Sequence, residues 1–217
     1  MMSEVSMGLG ERAADWHNAW GEPPLRIRPM DPSEAAGWLA ELEARARAEE
    51  AGLPASALME DPALREFLGA VFSLSSHLRQ MALVRPRVLF ELLSAPPADV
   101  AAGLIASTGD LWRNCGGEAD LMAGLRRSKA SMALLCGLAD LGGWWSAATV
   151  TAALTDFADA SLNSTCSFLL RSLAESGKVD PVDPLEPQGQ SGLIVLGMGK
   201  YGAHELNYSS DIDLILF

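Results

Sequence analysis

The chain has 217 residues, and its hydrophobic content of 49% is enough to bury a substantial core in one large domain or a domain and a half. Its 28 acidic residues against 16 basic ones give a formal net charge of −12, which argues against nucleic acid and anionic membranes as partners. The three cysteines form no CxxC pair, and no stretch approaches the roughly 18 uninterrupted apolar residues of a membrane span, so we expect a soluble, cytoplasmic protein.

The first predicted helix begins at Asp31-Pro32, after a lead-in of residues 1–30 that we expect to be loosely ordered. Asp31 can accept hydrogen bonds from the first free backbone N–H groups of a helix, and proline suits the first helical position. This helix opens a predicted helical domain that covers residues 31–179.

The apolar period of about 3.6 residues predicts further helices over residues 62–85, 88–93, 120–141 and 146–176. Asp61 repeats the capping pattern before the first of them, and Gly177 is typical of a residue just past a helix end. In the last helix the side chains expected to face the core are Val150, Leu154, Phe157, Ser161, Thr165, Leu169 and Leu173. Trp144-Trp145 is interpreted as a packing anchor rather than as a platform for stacked bases.

A proline-rich linker is predicted over residues 180–191, and the period of the pattern changes after it. A continuous apolar run at 193–196 predicts a buried strand, and alternation at 212–217 predicts a second strand. Residues 192–217 are therefore interpreted as the start of a separate domain that contains strands.

Asp211 and Asp213 lie two residues apart at the second predicted strand, so their carboxylates are expected on one face. A cation between two such carboxylates relieves their repulsion, and oxygen ligands of this kind suit Mg²⁺, which completes its octahedron with water and phosphate oxygens. The alternative is that the pair consists of solvated acids or a turn cap, which is common for so short a motif. The pair is the predicted catalytic and metal-binding element.

A glycine-rich turn, Gly197-Met-Gly199-Lys200-Tyr-Gly202, follows the first strand and matches the letters of the dinucleotide fingerprint G-x-G-x-x-G. That fingerprint needs a long crossover helix, whereas here a second strand follows within about ten residues. Glycines also let a phosphate approach the backbone, and Lys200 adds a positive charge beside it. The alternative role for these glycines is simple turn formation.

A strand, a glycine turn with a lysine, and a strand with Asp-x-Asp together resemble the DNA polymerase β-like nucleotidyltransferases. More closely, the run from Gly197 through Glu205-Leu-Asn207 to Ser210-Asp-Ile-Asp-Leu is similar to the signature of the glutamine synthetase adenylyltransferase family. Weaker similarity extends upstream to about residue 70. The resemblance implies a mostly α fold, a helical bundle, followed by the first strand–turn–strand of an α/β nucleotidyltransferase domain.

The resemblance further implies the N-terminal, adenylyl-removing region of a bifunctional enzyme that regulates nitrogen assimilation. Mg²⁺ and phosphate would serve to remove AMP from a tyrosine of glutamine synthetase and release ADP, while a second domain would add AMP from ATP. Glutamine synthetase is the implied partner, together with a PII-type signal protein that acts on the full-length enzyme. Asp211 and Asp213 would hold the metal, and the nucleotide and phosphate would meet Gly197, Gly199, Lys200, Gly202 and Ser210.

The sequence departs from the family pattern at Ala203, where a second glycine is usual. The third carboxylate of the family would lie beyond Phe217, so we expect these 217 residues alone to lack full activity. Two alternatives stay open: a non-catalytic helical module that binds partners, and a nucleotidyltransferase with another substrate. The residues without a settled role, each either near a ligand or simply solvated, are Arg126, Arg127, Lys129, His204, Asn207 and Ser209.

Overall fold

The structure, a computed structural model, describes residues 16–49, 59–180, 183–189 and 191–217. Its helices are α1 Trp16–Trp20, α2 Pro32–Ala48, α3 Pro62–Leu74, α4 Ser76–Val84, α5 Pro86–Leu93, α6 Pro97–Gly109, α7 Leu111–Asn114, α8 Glu118–Leu141, α9 Ala147–Glu175 and α10 Gly199–Gly202. Its strands are β1 Val195–Gly197 and β2 Leu214–Leu216, which pair antiparallel. The predicted mostly helical class is therefore confirmed.

The starts of α2, α3 and α9 follow from local capping chemistry. The carboxylate of Asp31 accepts hydrogen bonds from the backbone N–H groups of Ser33 and Glu34, and Asp61 does the same for the second and third residues after it. Ser146 caps α9 through its hydroxyl oxygen. Because these groups satisfy N–H donors that lack helical acceptors, the helix starts could be predicted from short sequence patterns.

The chain forms two compact units, of which the first comprises residues 1–97 and 137–144. Within its described part, Trp144 makes edge-to-face contacts with Trp16, Trp20 and Phe67, at centroid distances of 6.0, 5.0 and 5.2 Å. Trp144 is thus a packing residue. The helix at Trp16–Trp20, whose two tryptophans are buried, was not predicted from the sequence. Residues 1–15, half of the predicted lead-in, lie outside the described residues.

The second unit comprises residues 98–136 and 145–217, and α9 is its longest helix. The buried hydroxyl of Ser164 accepts a hydrogen bond from the Trp112 backbone N–H at 3.1 Å. Arg171 donates to the Trp112 carbonyl at 2.9 Å, and its guanidinium lies 5.2 Å from the centroid of the same indole ring. A polar and cation–π contact therefore ties α7 to the middle and end of α9.

Two helix predictions need correction. The single helix predicted over 62–85 is broken at Ser75, whose extended backbone and side-chain oxygen cap α4 through the Leu78 N–H. The local cap outweighs an apolar period that continues across the break. In α9, Leu169 and Leu173 were expected to face the core, but their side chains are 45% and 36% exposed. Region 98–118, which the sequence left without an element, contains α6 and α7.

The two strands are shorter and more exposed than the sequence predicted. Val195 pairs with Leu216 and Gly197 with Leu214, and backbone bonds between Ile194 and Phe217 extend the ladder. Leu196 on β1 is 46% exposed, so the prediction of a buried first strand is wrong for this chain. An apolar run shows that a strand suits burial, but it does not show which neighbours cover it.

Part of the predicted linker packs in the second unit. Pro187 is buried, and the Gln188 side chain donates hydrogen bonds to the Asn163 carbonyl and the Ser167 hydroxyl on α9 at 2.9 and 2.8 Å. The predicted domain boundary at 180–191 stays a prediction. The second compact unit includes residues on both sides of it, but a compact unit can contain more than one independently folding domain. Among the described residues, no helix combines the length and apolar character that crossing a membrane requires.

Candidate active site

The antiparallel ladder brings the glycine turn next to the acid pair. The backbone N–H of Met198 donates a hydrogen bond to the carbonyl of Asp213 at 2.9 Å, one step beyond the last paired residues of β1 and β2. Residue 199 begins the short helical turn α10, and Asp211 precedes β2 by three residues. The turn and the acids therefore lie at the same end of this sheet.

Each glycine of the turn is required for a different physical reason. A Cβ on Gly202 would lie 2.3 Å from the carbonyl oxygen of Gly197, which is a backbone clash that no rotamer can relieve. A Cβ on Gly197 would lie 2.7 Å from the ring of Tyr201. Gly199 has φ of 58°, in the left-handed region that side chains disfavour. The G-x-G-x-x-G spacing thus encodes one tightly wound turn.

Gly199 also faces the carboxylate of Asp213. A Cβ built on this glycine would lie 4.0 Å from Asp213 Oδ2, and nothing else lies within that distance of it. Since glycine carries no side chain, no side-chain atom separates the turn backbone from this carboxylate. The sequence-predicted residues Gly199 and Asp213 are therefore brought together by the fold.

The two acids of the site are of the residue type that binds Mg²⁺ through oxygen. Asp211 and Asp213 are both exposed, and carboxylates are the oxygen ligands of hard cations. Among the described residues, no group of three His, Cys, Asp or Glu side chains could hold a metal. Mg²⁺ that takes one or two carboxylates and completes its shell with water and phosphate needs no larger set.

Lys200 and Ser210 were also predicted to bind nucleotide or phosphate, and the structure places them differently. Lys200 is exposed on the turn itself, where its ammonium group is free to reach an anion. Ser210 instead donates its hydroxyl to Asn207 Oδ1 at 2.6 Å, and the Ser209 N–H donates to the same oxygen at 3.2 Å. Asn207 thus organises the turn that leads into Asp211.

Helix α9 makes three polar contacts with residues of the segment 201–206. The hydroxyl of Tyr201 donates a hydrogen bond to Asp159 Oδ1. The N–H of Leu206 donates to the hydroxyl of Thr155 at 3.2 Å, and both residues are buried. His204 Nε2 lies 2.9 Å from Asp156 Oδ1, with both side chains 52% exposed. His204 is the only non-glycine residue with positive φ among the described residues, at 60°.

Apolar packing accompanies these contacts. The buried side chains of Tyr201 and Leu206 form a cluster with Ala158 of α9, and partly buried hydrophobic residues pack against it, namely Leu154, Leu162 and Leu214. Burial raises the pKa of Tyr201 well above its ordinary value, and the bond to Asp159 raises it further. The tyrosine hydroxyl therefore stays protonated at physiological pH and can donate this hydrogen bond.

The sequence did not identify the contacts of Thr155 and Asp159. A pattern that could have indicated them is present, because these two polar residues are spaced i, i+4 beside Ala158 and Leu162 in an alanine-rich helix. Such spacing shows that the two residues share a face. It does not show that a turn more than 40 residues downstream packs there.

Comparison with known proteins identifies the class of protein to which this arrangement belongs. The family model for glutamate-ammonia ligase adenylyltransferase matches residues 65–217, which include the helices from α4 onward, the glycine turn and the acid pair. The chain belongs to this family.

The individual relatives carry a more specific name. Proteins called bifunctional glutamine synthetase adenylyltransferase/adenylyl-removing enzyme are 44% identical over 193 residues in Bradyrhizobium sp. (strain ORS 278), 42% over 200 residues in Mesorhizobium japonicum and 39% over 193 residues in Brucella suis biovar 1. These alignments cover 88%, 90% and 88% of this chain but 19%, 20% and 19% of the relatives. The chain spans about a fifth of the length of the curated relatives it matches. No solved structure matches it significantly.

Proposed function

We propose that the chain supplies the strand–turn–strand edge of a DNA polymerase β-like nucleotidyltransferase site that removes AMP from a tyrosine of glutamine synthetase. The site belongs to an enzyme of the same kind as its relatives, which also adds AMP from ATP at a second site. Glutamine synthetase is the protein substrate, and a PII-type signal protein regulates the full-length enzyme. The cytoplasm is the proposed location, where these partners would be found.

One observation carries the proposal. The Met198–Asp213 backbone bond places the glycine turn beside the acid pair in a chain that belongs to the adenylyltransferase family. A Cβ on Gly199 would lie 4.0 Å from Asp213 Oδ2, so the glycine turn and this carboxylate are close neighbours, as a site that binds phosphate beside a metal ion requires. A dinucleotide site would instead need a long helix after the glycines, and α10 has only four residues.

The acid pair, the glycine turn and Lys200 each have a defined part in the proposed reaction. Asp211 and Asp213 would hold Mg²⁺, which would supply charge stabilisation to an in-line displacement. The turn from Gly197 to Gly202 binds phosphate through its backbone, and the exposed Lys200 contributes a positive charge. An oxygen of hydrogen phosphate forms a bond to the phosphorus of AMP, and the bond from that phosphorus to the tyrosine oxygen breaks. The proton of hydrogen phosphate passes to the tyrosine oxygen, so that ADP and unmodified tyrosine result.

The direct test is the rate of AMP removal from adenylylated glutamine synthetase by the enzyme at the full length of its relatives. We expect Asp213→Asn and Asp211→Asn each to lower the Mg²⁺-dependent rate by at least about a hundredfold, because charge stabilisation by a bound metal is worth several kcal/mol. Asp99→Asn, which removes an exposed acid at the start of α6, is the matched control and should retain the rate.

The other outcomes identify the alternatives. Full activity in both Asp211→Asn and Asp213→Asn would show that these residues do not hold the metal. Transfer of label from ATP to a molecule other than glutamine synthetase would indicate a nucleotidyltransferase with another substrate. Binding of glutamine synthetase without any turnover would indicate a non-catalytic helical module.

A further inference from the structure

The ring of Tyr201 links helix α9 to the backbone of the glycine turn. Its hydroxyl donates to Asp159 on α9, and its ring lies so close to Gly197 that a Cβ there would be 2.7 Å from Tyr201 Cδ1. Tyr201 is only 7% exposed. A displacement of this ring would therefore move the backbone at the end of β1, where the turn begins.

The turn cannot adjust independently of that ring. Gly202 is packed directly against the carbonyl of Gly197, and the Gly202 N–H donates to the Met198 carbonyl at 3.1 Å. The Met198 N–H in turn donates to the carbonyl of Asp213. A continuous series of contacts thus joins Asp159 to the residue that faces Gly199 across the site.

We propose that Asp159 is a positioning residue of the phosphate-binding turn, which it orients beside Asp213 through its hydrogen bond to Tyr201. The inference rests on the proposed function, since it assigns the turn to phosphate. Asp159 would act through Tyr201 and not by its own contact with phosphate or metal. The Asp159 carboxylate accepts the hydrogen bond from Tyr201. Hydrogen bonds to charged groups are stronger than those between neutral groups, which suits a contact that orients the turn.

Asp156 provides the matched comparison on the same helix. It lies three residues before Asp159 and contacts His204. Both aspartates are exposed, but His204 is about half exposed whereas Tyr201, the partner of Asp159, is buried. Exposed ion pairs of this kind contribute little, because water screens them and side-chain entropy opposes them. If the loss of any acid from α9 were sufficient to raise KM for phosphate, Asp156→Ala and Asp159→Ala would raise it equally.

The test measures KM for phosphate and kcat in AMP removal by the full-length enzyme. Tyr201→Phe keeps the packed ring and removes only the donor, and Asp159→Ala removes the acceptor. We expect each to raise KM for phosphate about tenfold, which corresponds to a typical coupling between contacting residues, and to change kcat less than about twofold. The double variant should be no worse than either single one, because both remove the same bond.

Conservative rescue separates positioning from a general effect on folding. Asp159→Asn retains an oxygen that accepts the tyrosine hydroxyl, so its KM for phosphate should stay within about threefold of the wild-type value. Asp156→Ala should leave KM unchanged. A lower melting temperature in Tyr201→Phe with a wild-type KM, measured well below that temperature, would show a purely structural contact and overturn the proposal.

A second readout tests the inference even if the reaction is of another kind. Amide hydrogen exchange of residues 199–203 in the same protein should be faster in Tyr201→Phe and Asp159→Ala than in Asp156→Ala. Unchanged exchange overturns the positioning role. Wild-type rates of AMP removal in Asp213→Asn would instead overturn the proposed metal site, so the two failures are distinguishable.

Discussion

Gly202 shows how a single position constrains the candidate site. Its missing side chain allows the carbonyl of Gly197 to approach its Cα, and this contact closes the turn. Gly199 is required for a different reason, its positive φ, and Gly197 for a third, the ring of Tyr201. The motif is therefore three separate steric requirements at one turn rather than a general need for flexibility.

Substituting Gly202 should be costly because the atom it would meet is backbone. We expect Gly202→Ala to destabilise the turn by about 1–3 kcal/mol, the usual cost of overpacking. Amide exchange of residues 199–203 measures this loss. Gly103→Ala is the control, because nothing lies within 4 Å of a Cβ there and α6 should gain about 0.5–1 kcal/mol. Unaltered exchange in Gly202→Ala would contradict the described packing.

Asp61 gives a prediction about pH. Desolvation raises the pKa of this carboxyl, but hydrogen bonds from Leu64 and Ala63 and the charge of His17 together hold it below its ordinary value. A depressed folded-state pKa means that the stabilisation is present above the unfolded pKa and is lost as pH falls through the folded value.

Two variants separate the cap from the charge. Asp61→Ala removes the cap of α3 and should cost about 1 kcal/mol near neutral pH. Asp61→Asn keeps an accepting oxygen but cannot ionise, so its urea midpoint should lie below the wild-type value near neutral pH and converge on it at acid pH. A difference between wild type and Asp61→Asn that is independent of pH would contradict the assigned pKa direction.

At the scale of elements, α9 is a platform whose polar residues face the start of the strand-containing stretch. The Thr155 hydroxyl donates to the Thr151 carbonyl in its own helix and accepts from the Leu206 N–H. Thr165 on the same helix donates only to Ser161. One threonine therefore joins two elements, while the other satisfies its hydroxyl within the helix.

This difference predicts unequal effects of the same substitution. Thr155→Val has nearly the same shape but leaves the buried Leu206 N–H without its acceptor, which should cost about 1–3 kcal/mol. Thr165→Val should cost little. Amide exchange at Leu206 is the measurement, and it should accelerate only in Thr155→Val. Equal exchange in both variants would show that the Leu206 contact does not stabilise the turn.

Sequence patterns predicted those elements whose ends have local causes. Asp31 and Asp61 were recognisable as caps because the groups they satisfy lie within three residues, whereas Ser146, predicted as the first residue of its helix, is the cap. The break at Ser75 was missed because the apolar period continues through it. The exposure of β1 could not be predicted, since burial of a strand depends on neighbours distant in sequence.

At the scale of the whole molecule, the candidate site was predictable because its main residues fall within 17 positions, from Gly197 to Asp213. The residues of such a contiguous motif are close in sequence, so the motif can be recognised without knowledge of the rest of the fold. The contact of Asp159 with Tyr201 joins positions 42 residues apart, and no local pattern specifies it. Family membership then connects the site to a class of enzyme, although the chain covers only part of the length of its relatives.

The chemical form in which AMP leaves glutamine synthetase distinguishes phosphate-dependent removal at the Asp211–Asp213 site from the alternatives. The full-length enzyme is incubated with Mg²⁺, phosphate and glutamine synthetase that carries labelled AMP on tyrosine, and the released label is identified. We expect labelled ADP, formed only when phosphate is present and lost in Asp213→Asn. Label that stays on glutamine synthetase, or ADP formed at the wild-type rate by Asp213→Asn, would contradict the proposed function.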